Sequence, residues 1–415
     1  PLFIAEQNWW DLEIKPQTRT NRGSGLYTTF RFVDSNISKG SLTAGYFKEQ
    51  QKYFTQNELA NKKHYGFNFL YENGNVINQW FGSKYQGQSG LYVDIVNMND
   101  IDYINLSTND TTKNATATQL LSRINLFYNT DSNYLGAYFK HYKDLTLESN
   151  EETLQNIPSL QYHKYLTTFL NNHFFYNIDI KSNNYYRSLG KSAVQTDVNI
   201  PLTFQTQLFD DYMNLSYESY MYAQHTSFSG ETKVPTTDKY SSGIFARNYH
   251  SVSLSSQLTR AYEESTHVLD FGAQYQLAGS EIQNGYYDEQ KEYCSKAANK
   301  SSAICEFYNI TDIEERLELY FSHYLHDADG KQILYHRVAQ NISYEDVGGG
   351  VGELENELDY QITDSVNFYN NMFFNYDENA FSKNFNKVTY SNESFDAALS
   401  YMYKNKFVDT ISNIS

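Results

Sequence analysis

Long apolar runs are missing from this 415-residue chain. No stretch of about 18 apolar residues occurs, which excludes a transmembrane helix. Basic residues are outnumbered, 32 Lys and Arg against 49 Asp and Glu, for a net charge of -17. No basic stripe exists to neutralise phosphates, so nucleic acid is not an expected partner. A polybasic membrane anchor is excluded on the same ground. The opening "PLFIAEQNWW" lacks a basic n-region and a small-residue cleavage site, so no signal peptide is read there. The expectation is an internal piece of a longer precursor. GxSxG, HExxH and a phosphate-binding glycine loop are all missing. The chain is therefore read as a non-enzyme with no cofactor and no metal. Proline and cysteine are rare, at 5 and 2 residues.

Aromatic residues are abundant. There are 39 Tyr and 27 Phe, aromatics reach 17%, and mean hydropathy is still only -0.65. A β-barrel in a membrane combines these properties, because only every second strand residue meets lipid. The pattern agrees from end to end. In "QTDVNIPLTFQ", Val198, Ile200, Leu202 and Phe204 alternate with Asp197, Asn199, Thr203 and Gln205. "SGLYTTFRFVD", "VLDFGAQYQLAG", "GELENELDYQITD" and "SFDAALSYMYKNK" repeat that period of two. Such runs are about ten residues long, enough for a tilted strand to cross the hydrocarbon layer. Turn signals separate them: "SNISKGS", "YENGN", "TDSN", "HDADGK", "QITDS" and "YDENAFSKN". Short turns alternate with long polar stretches at 104–118, 225–247 and 279–311, as in outer-membrane barrels. The fold class is all-β, a large antiparallel transmembrane β-barrel with about 20 strands here. A soluble β-sandwich also tolerates one polar face. The absence of a fixed 20–50-residue repeat argues against a solenoid or propeller.

Few residues stand out as sites. Glu353, Glu355, Glu357 and Asp359 form one acidic row on a strand's wet face, a candidate for binding divalent cations or repelling phosphorylated sugars. Cys294 and Cys305 lie in "CSKAANKSSAIC" and read as a loop disulfide in an oxidising compartment or as two unpaired thiols. His163, His250, His323 and His336 fall in strands with aromatic neighbours, which places them at a girdle or in the lumen. Adjacent His250 and Ser251 would point to opposite faces of a strand and make a poor catalytic pair. "VDIVNMNDIDYINLSTND" is rich in Asp and Asn but lacks calcium-loop spacing, and reads as a solvated loop. Gly348 to Gly350 mark a tight turn or a strand kink.

Pro16 interrupts the alternating strand "WWDLEIKPQTRTNRG", where Leu12 and Ile14 share its phase. Proline cannot donate to a ladder and belongs at edges and bulges. The opening "PLFIAEQNWWDLEIKPQTRTNRG" followed by "YTTFRFVDSNISKGSLTAGYFKE" resembles the start of the barrel in the LptD family of lipopolysaccharide-assembly outer-membrane proteins. Pro1, Asp11, Pro16, Arg22-Gly23, Phe30-Arg31-Phe32, Gly40 and Tyr46 carry the likeness. "DIVNMNDIDYINL", "IPSLQYHKYL" and "TDVNIPLTF" continue it, more loosely past the middle of the chain, with epsilon-proteobacterial-like members the nearest in character.

The resemblance implies a barrel of 26 strands in the family. It implies passage of lipopolysaccharide sugar through the lumen while the lipid leaves sideways between the first and last strands. Pro1 and Pro16 would weaken that lateral gate. The implied partners are lipopolysaccharide, a plug lipoprotein (LptE), bridge proteins of the LptA type reached through an N-terminal periplasmic jelly-roll domain, and outer-membrane lipids. Residues 1–415 then form the barrel domain, with the jelly-roll domain and the last strands expected to be absent. The family's cysteine linkage does not map onto Cys294 and Cys305. The rival expectation is a diffusion porin or nutrient receptor, which needs no seam.

Overall fold

The computed structural model describes residues 1–82, 86–106, 118–170, 172–230, 239–344 and 349–405. Its described residues form one sheet of twenty strands. They are β1 (Leu2–Gln7), β2 (Trp10–Arg19), β3 (Gly23–Ser35), β4 (Ser38–Glu49), β5 (Lys63–Asn73), β6 (Gln88–Met98), β7 (Gln119–Asn129), β8 (Asn133–Asp144), β9 (Gln155–Phe169) and β10 (Phe174–Tyr186). The second half comprises β11 (Ser192–Leu208), β12 (Met213–Ser229), β13 (Gly243–Ala261), β14 (Ser265–Asn284), β15 (Arg316–Asp327), β16 (Gln332–Ser343), β17 (Gly350–Thr363), β18 (Val366–Asn375), β19 (Ala380–Ser391) and β20 (Asp396–Lys404). Each strand pairs antiparallel with the next in sequence, so the sheet is a continuous meander. β1 and β20 are its two edges, and the sheet is not closed among the described residues. Four short helices lie in the connections: α1 (Gln51–Gln56), α2 (Val76–Phe81), α3 (Asp102–Leu106) and α4 (Tyr286–Cys294).

Register carries the alternation across the sheet. One face runs Leu12, Phe30, Leu42, Phe69 and Ile95 across β2 to β6. The neighbouring row runs Glu13, Thr29, Thr43 and Asn68 on the other face. Further round, Val252, Tyr275, Leu317 and Ile342 share the apolar face. A one-residue slip anywhere would exchange the faces, so the two-sided pattern itself fixes the register. Large side chains such as Leu135, Leu160, Met221 and Phe321 are exposed on the apolar face, as lipid contact requires.

Connections sort by rim. Those after odd-numbered strands, at 8–9, 36–37, 130–132, 170–173, 209–212, 262–264, 328–331, 364–365 and 392–395, are tight; 74–87, which carries α2, is the exception. The longer connections, at 50–62, 99–118, 145–154, 230–242 and 285–315, gather on the opposite rim. The expected turn segments therefore straddle strand junctions, with part of "SNISKGS", "YENGN", "QITDS" and "YDENAFSKN" running into the flanking strands.

Strand length departs from the ten-residue expectation. β13 and β14 have 19 and 20 residues. Ten residues are what a bilayer demands of a tilted strand; β11 to β14 continue past that length and support a folded connection above them. The polar stretch 225–247 is accordingly strand up to Ser229 and again from Gly243.

Candidate functional site

The first hairpin is tied weakly. β1 meets β2 through Leu2↔Ile14, Phe3↔Glu13, Ile4↔Leu12 and Gln7↔Trp10, with an irregularity between Ile4 and Gln7. Pro1 precedes β1 and is exposed. Pro16 lies in β2 opposite Leu26 of β3, two residues beyond the last β1 partner. Val33 N–H donates to Trp9 O at 2.8 Å, so odd positions of β2 aim their peptide groups at β3. Even positions, Pro16 included, aim theirs toward the β1 side. Pro16 thus costs the β2–β3 ladder nothing, and the donor it lacks is on the edge side. Beside this hairpin, Phe3, Trp9, Val33 and Leu70 line a cavity of about 760 Å³. Arg31 crosses it, 2.7 Å from Asp11 and 5.4 Å from the Phe3 ring centre.

Next to the hairpin, the 99–106 segment folds inward. Asp102–Leu106 forms α3 with Tyr103, Ile104 and Leu106 buried. They pack on Tyr27, Phe47, Val96, Met98 and Leu120. Gly45 makes room, since a Cβ there would run into the Tyr27 ring. Gln17 of β2 donates to Leu106 O at 3.1 Å. An ion cluster sits alongside. Arg22 donates to Glu49 at 2.8 Å, and the His64 ring nitrogens face Glu49 at 3.2 Å and Asp100 at 2.9 Å. The Glu49 and His64 side chains are 0% and 1% exposed. The solvated loop expected over 93–110 is thus corrected. Val93–Met98 is strand, Asp100 is engaged by His64 and by Tyr103 N–H, and α3 has an apolar underside. Residues 107–110 lie outside the described residues. Sequence reasoning missed this cluster, because its members sit at or near the ends of separate strands; the visible signal was the apolar spacing of Ile101, Ile104 and Tyr103 within a polar run.

The 285–315 connection forms a second inward fold. α4 is followed by 3-10 turns at Ala297–Asn299 and Ala303–Cys305, and Cys294 and Cys305 are bonded with Cα atoms 5.4 Å apart. Tyr286, Tyr287, Ile304 and Phe307 are buried against Ala193 and Phe245. Tyr287 donates to Gln224 at 2.6 Å, Gln195 donates to Phe307 O at 3.0 Å, and Arg187 pairs with Glu306 at 2.5 Å. Burial pushes the Tyr287 hydroxyl up to about 12 and raises Tyr286 as well.

The acidic row lies on the polar face of β17, and every carboxylate has a protein partner. Arg337 bridges Glu355 at 2.5 Å and Glu318 at 3.2 Å. Glu357 accepts from Tyr369 at 2.6 Å, Asp359 from Asn367 at 2.6 Å, and Glu353 from Asn375 at 3.3 Å. Among the described residues, no group of three or more His, Cys, Asp or Glu is arranged to hold a metal ion.

The histidines divide between the two expected places. His323 and His336 lie on the apolar face, cross-strand from one another and with Phe321 stacked on His323, the girdle side of the expectation. His267 Nε2 is 3.3 Å from His323 Nδ1, and His336 Nε2 is 2.8 Å from Asn356. Asn370, Asn384 and Asn386 continue this polar stripe through mutual hydrogen bonds of 2.8–3.0 Å. His163 is on the polar face, 3.1 Å from Asp179. His250 bonds Tyr217 on one face while Ser251 receives Gln274 on the other, so the two do not meet. Gly350 opens β17 with φ 142°, and Gly348 lies outside the described residues.

A family model described as "LPS transport system D" (LptD) matches residues 62–415. The chain belongs to the LptD family. It is an outer-membrane β-barrel protein of lipopolysaccharide transport; the polar face is its lumen wall and the apolar face meets lipid. The matched region begins after Pro1 and Pro16 and runs through the second half, whereas the resemblance read from the sequence leaned on the opening strands. A search among curated proteins finds no match. Solved structures similar to this LptD-family chain include a bacterial polysaccharide outer membrane secretin, at 9% identity over 81% of this chain and 91% of that one with a TM-score of 0.26. The in-vitro folded outer membrane protein OmpT of Vibrio cholerae is similar at 8% identity over 97% and 95%, with a TM-score of 0.23. TM-scores this low carry no weight for function.

Proposed function

We propose that this LptD-family barrel inserts lipopolysaccharide into the outer leaflet through a lateral opening between its first and last strands. The observation that carries the reading is the pairing of β1 to β2, whose register is irregular between Ile4 and Gln7. Parting strands in lipid leaves backbone groups unpaired at a cost of several kcal/mol each, so an irregularly paired hairpin is the less costly place to open. Pro16 adds to this by removing one donor on the β1 side, and Pro1 removes another where β1 begins. The row Glu353, Glu355, Glu357 and Asp359 repels phosphate groups from that part of the wall. The partners of this reading are lipopolysaccharide, a plug lipoprotein of the LptE kind, and an LptA-type bridge that delivers the lipid.

The test is a reversible crosslink. A cysteine replacing Phe3, paired with a cysteine in the strand that closes against β1 in cells, should abolish surface lipopolysaccharide when oxidised and restore it on reduction. Normal surface lipopolysaccharide in the crosslinked state would overturn the lateral route.

A further inference from the structure

We propose that the lumen wall between β12 and β16 binds a neutral oligosaccharide on two stacked tyrosine pairs, Tyr220–Tyr249 and Tyr324–Tyr335. This deepens the transport reading and rests on it for the wall's exposure to passing sugar. Tyr220 and Tyr249 are direct cross-strand partners with ring centres 4.4 Å apart and planes 9° from parallel. Tyr324 and Tyr335 repeat the arrangement at 5.1 Å and 29°. All four rings are half-buried on the polar face.

Carboxylates stand beside both pairs. Tyr220 donates to Glu218 at 2.6 Å, and Tyr335 donates to Glu357 at 3.5 Å. This combination matches a pyranose. Its apolar C–H face carries partial positive charge and stacks on the negative face of an aromatic ring. Its hydroxyls donate to carboxylate oxygens, which accept only when ionised. A phosphate would meet like charge. The two pairs are three strand spacings apart, about 14 Å across the sheet, and ten residues apart along it, about 33 Å, because Tyr249 lies opposite Ala278 of β14 and Tyr324 opposite Val268. Each pair is therefore a separate sugar contact, and only a long sugar chain touches both.

Saturation-transfer NMR on the full chain in detergent micelles, with maltoheptaose as probe, tests this. Wild type should transfer saturation to the sugar ring protons at millimolar probe. Replacing all four tyrosines by Ala should weaken binding about tenfold, given what an aromatic contact contributes. The four Tyr→Phe changes should retain most of it, because stacking survives loss of the hydroxyl. Should the Ala variant not fold, Y220L/Y249L and Y324L/Y335L are made separately, and each should lose part of the binding. No transfer in wild type, unchanged transfer in the folded Ala variant or in both Leu variants, or displacement of the sugar by inorganic phosphate would each overturn the proposal. Surface lipopolysaccharide after depletion of the protein is scored separately. Its persistence would remove the transport reading, while lost sugar binding with intact transport would remove only the tyrosine track.

Discussion

Two connections fold inward over the same rim, and they are held by opposite means. The 99–106 segment beside β2 to β7 is pinned by charge: Arg22, Glu49, His64 and Asp100 form one buried cluster, and α3 adds three apolar side chains. The 285–315 connection above β11 to β14 is pinned by a covalent bond and a tyrosine-rich core, with the ion pairs Arg187–Glu306, Lys291–Glu281 and Lys296–Glu292 at its margin. The first lies next to the irregularly paired β1–β2 hairpin. The second lies over the longest strands of the sheet. A region near a proposed moving seam is thus held by contacts that depend on correct partner geometry, and a region over a tall, fully paired wall is held by one that does not.

The largest expected effect breaks the ionic side of this comparison. Glu49→Ala leaves Arg22 and His64 facing each other without their shared carboxylate, and breaking a buried pair costs about 3–5 kcal/mol. The measurement is the urea midpoint of the refolded barrel, with protease sensitivity of the 99–118 connection as the local readout. A shift below about 1 kcal/mol, the range of surface pairs, would show that the cluster is not structural.

Cutting the covalent side should cost less and stay local. Replacing Cys294 and Cys305 by Ser frees a loop whose closure contributes about 3 kcal/mol on chain-entropy grounds. The 285–315 connection should become protease-sensitive while heat-modifiable migration of the barrel persists. Loss of the barrel itself would mean that this connection, and not the wall, organises β11 to β14.

How much of this was legible beforehand follows from what each feature rests on. Alternation is a local property, so the two faces, the twenty strands and most tight turns could be read directly from runs such as "QTDVNIPLTFQ". The row of Glu353, Glu355, Glu357 and Asp359 was legible for the same reason, but its partners were not. Arg337, Tyr369 and Asn367 reach it from neighbouring strands, and register across a meander is a non-local quantity. The ion cluster was invisible because Arg22 lies in the β2–β3 turn, Glu49 ends β4 and His64 lies near the start of β5, and they meet only in the folded sheet. For His323 and His336 the sequence left girdle and lumen both open. Their phase with Phe321 and Val338 was available, but a polar stripe on a lipid-facing surface contradicts the pattern that made the barrel recognisable.

That stripe separates the β14–β19 wall from the apolar wall of β2–β6. Asn370→Leu removes the donor to Asn386 Oδ1 and leaves Asn384 only its bond from Asn386, and an unsatisfied polar group costs about 1–3 kcal/mol. Changing all three Asn to Leu should recover the loss, because it removes donors and acceptors together. Refolding yield into lipid vesicles and the urea midpoint distinguish the single from the triple variant. A triple variant less stable than the single would show that the stripe faces something polar rather than lipid.

A smaller effect is tied to pH. Tyrosine ordinarily titrates near 10, and burial raises Tyr287 to about 12. Between those values the unfolded chain has lost the proton that the folded chain keeps, so stability falls as pH rises and is fully present below pH 10. Protease protection of the 285–315 connection should therefore fade through this window, earlier than protection of the 99–106 fold. Simultaneous loss would mean that the two inward folds open as one unit.

The smallest expected change in resting stability comes from Pro16. Pro16→Ala restores an N–H on the β1 side of β2, two residues past the Leu2–Ile14 pair. The β2–β3 ladder keeps its bonds, since the odd positions supply them. The change in the urea midpoint should therefore stay within about 0.5 kcal/mol, the range of substitutions that break no special feature. A new donor on the edge side matters only when another strand comes alongside it. If the lateral opening exists, Pro16→Ala should slow delivery of surface lipopolysaccharide while leaving the midpoint unmoved, and Glu49→Ala should do the reverse in proportion to its larger cost. Unchanged delivery together with an unchanged midpoint would make Pro16 an ordinary edge proline, whose placement follows from the free side of β2 alone.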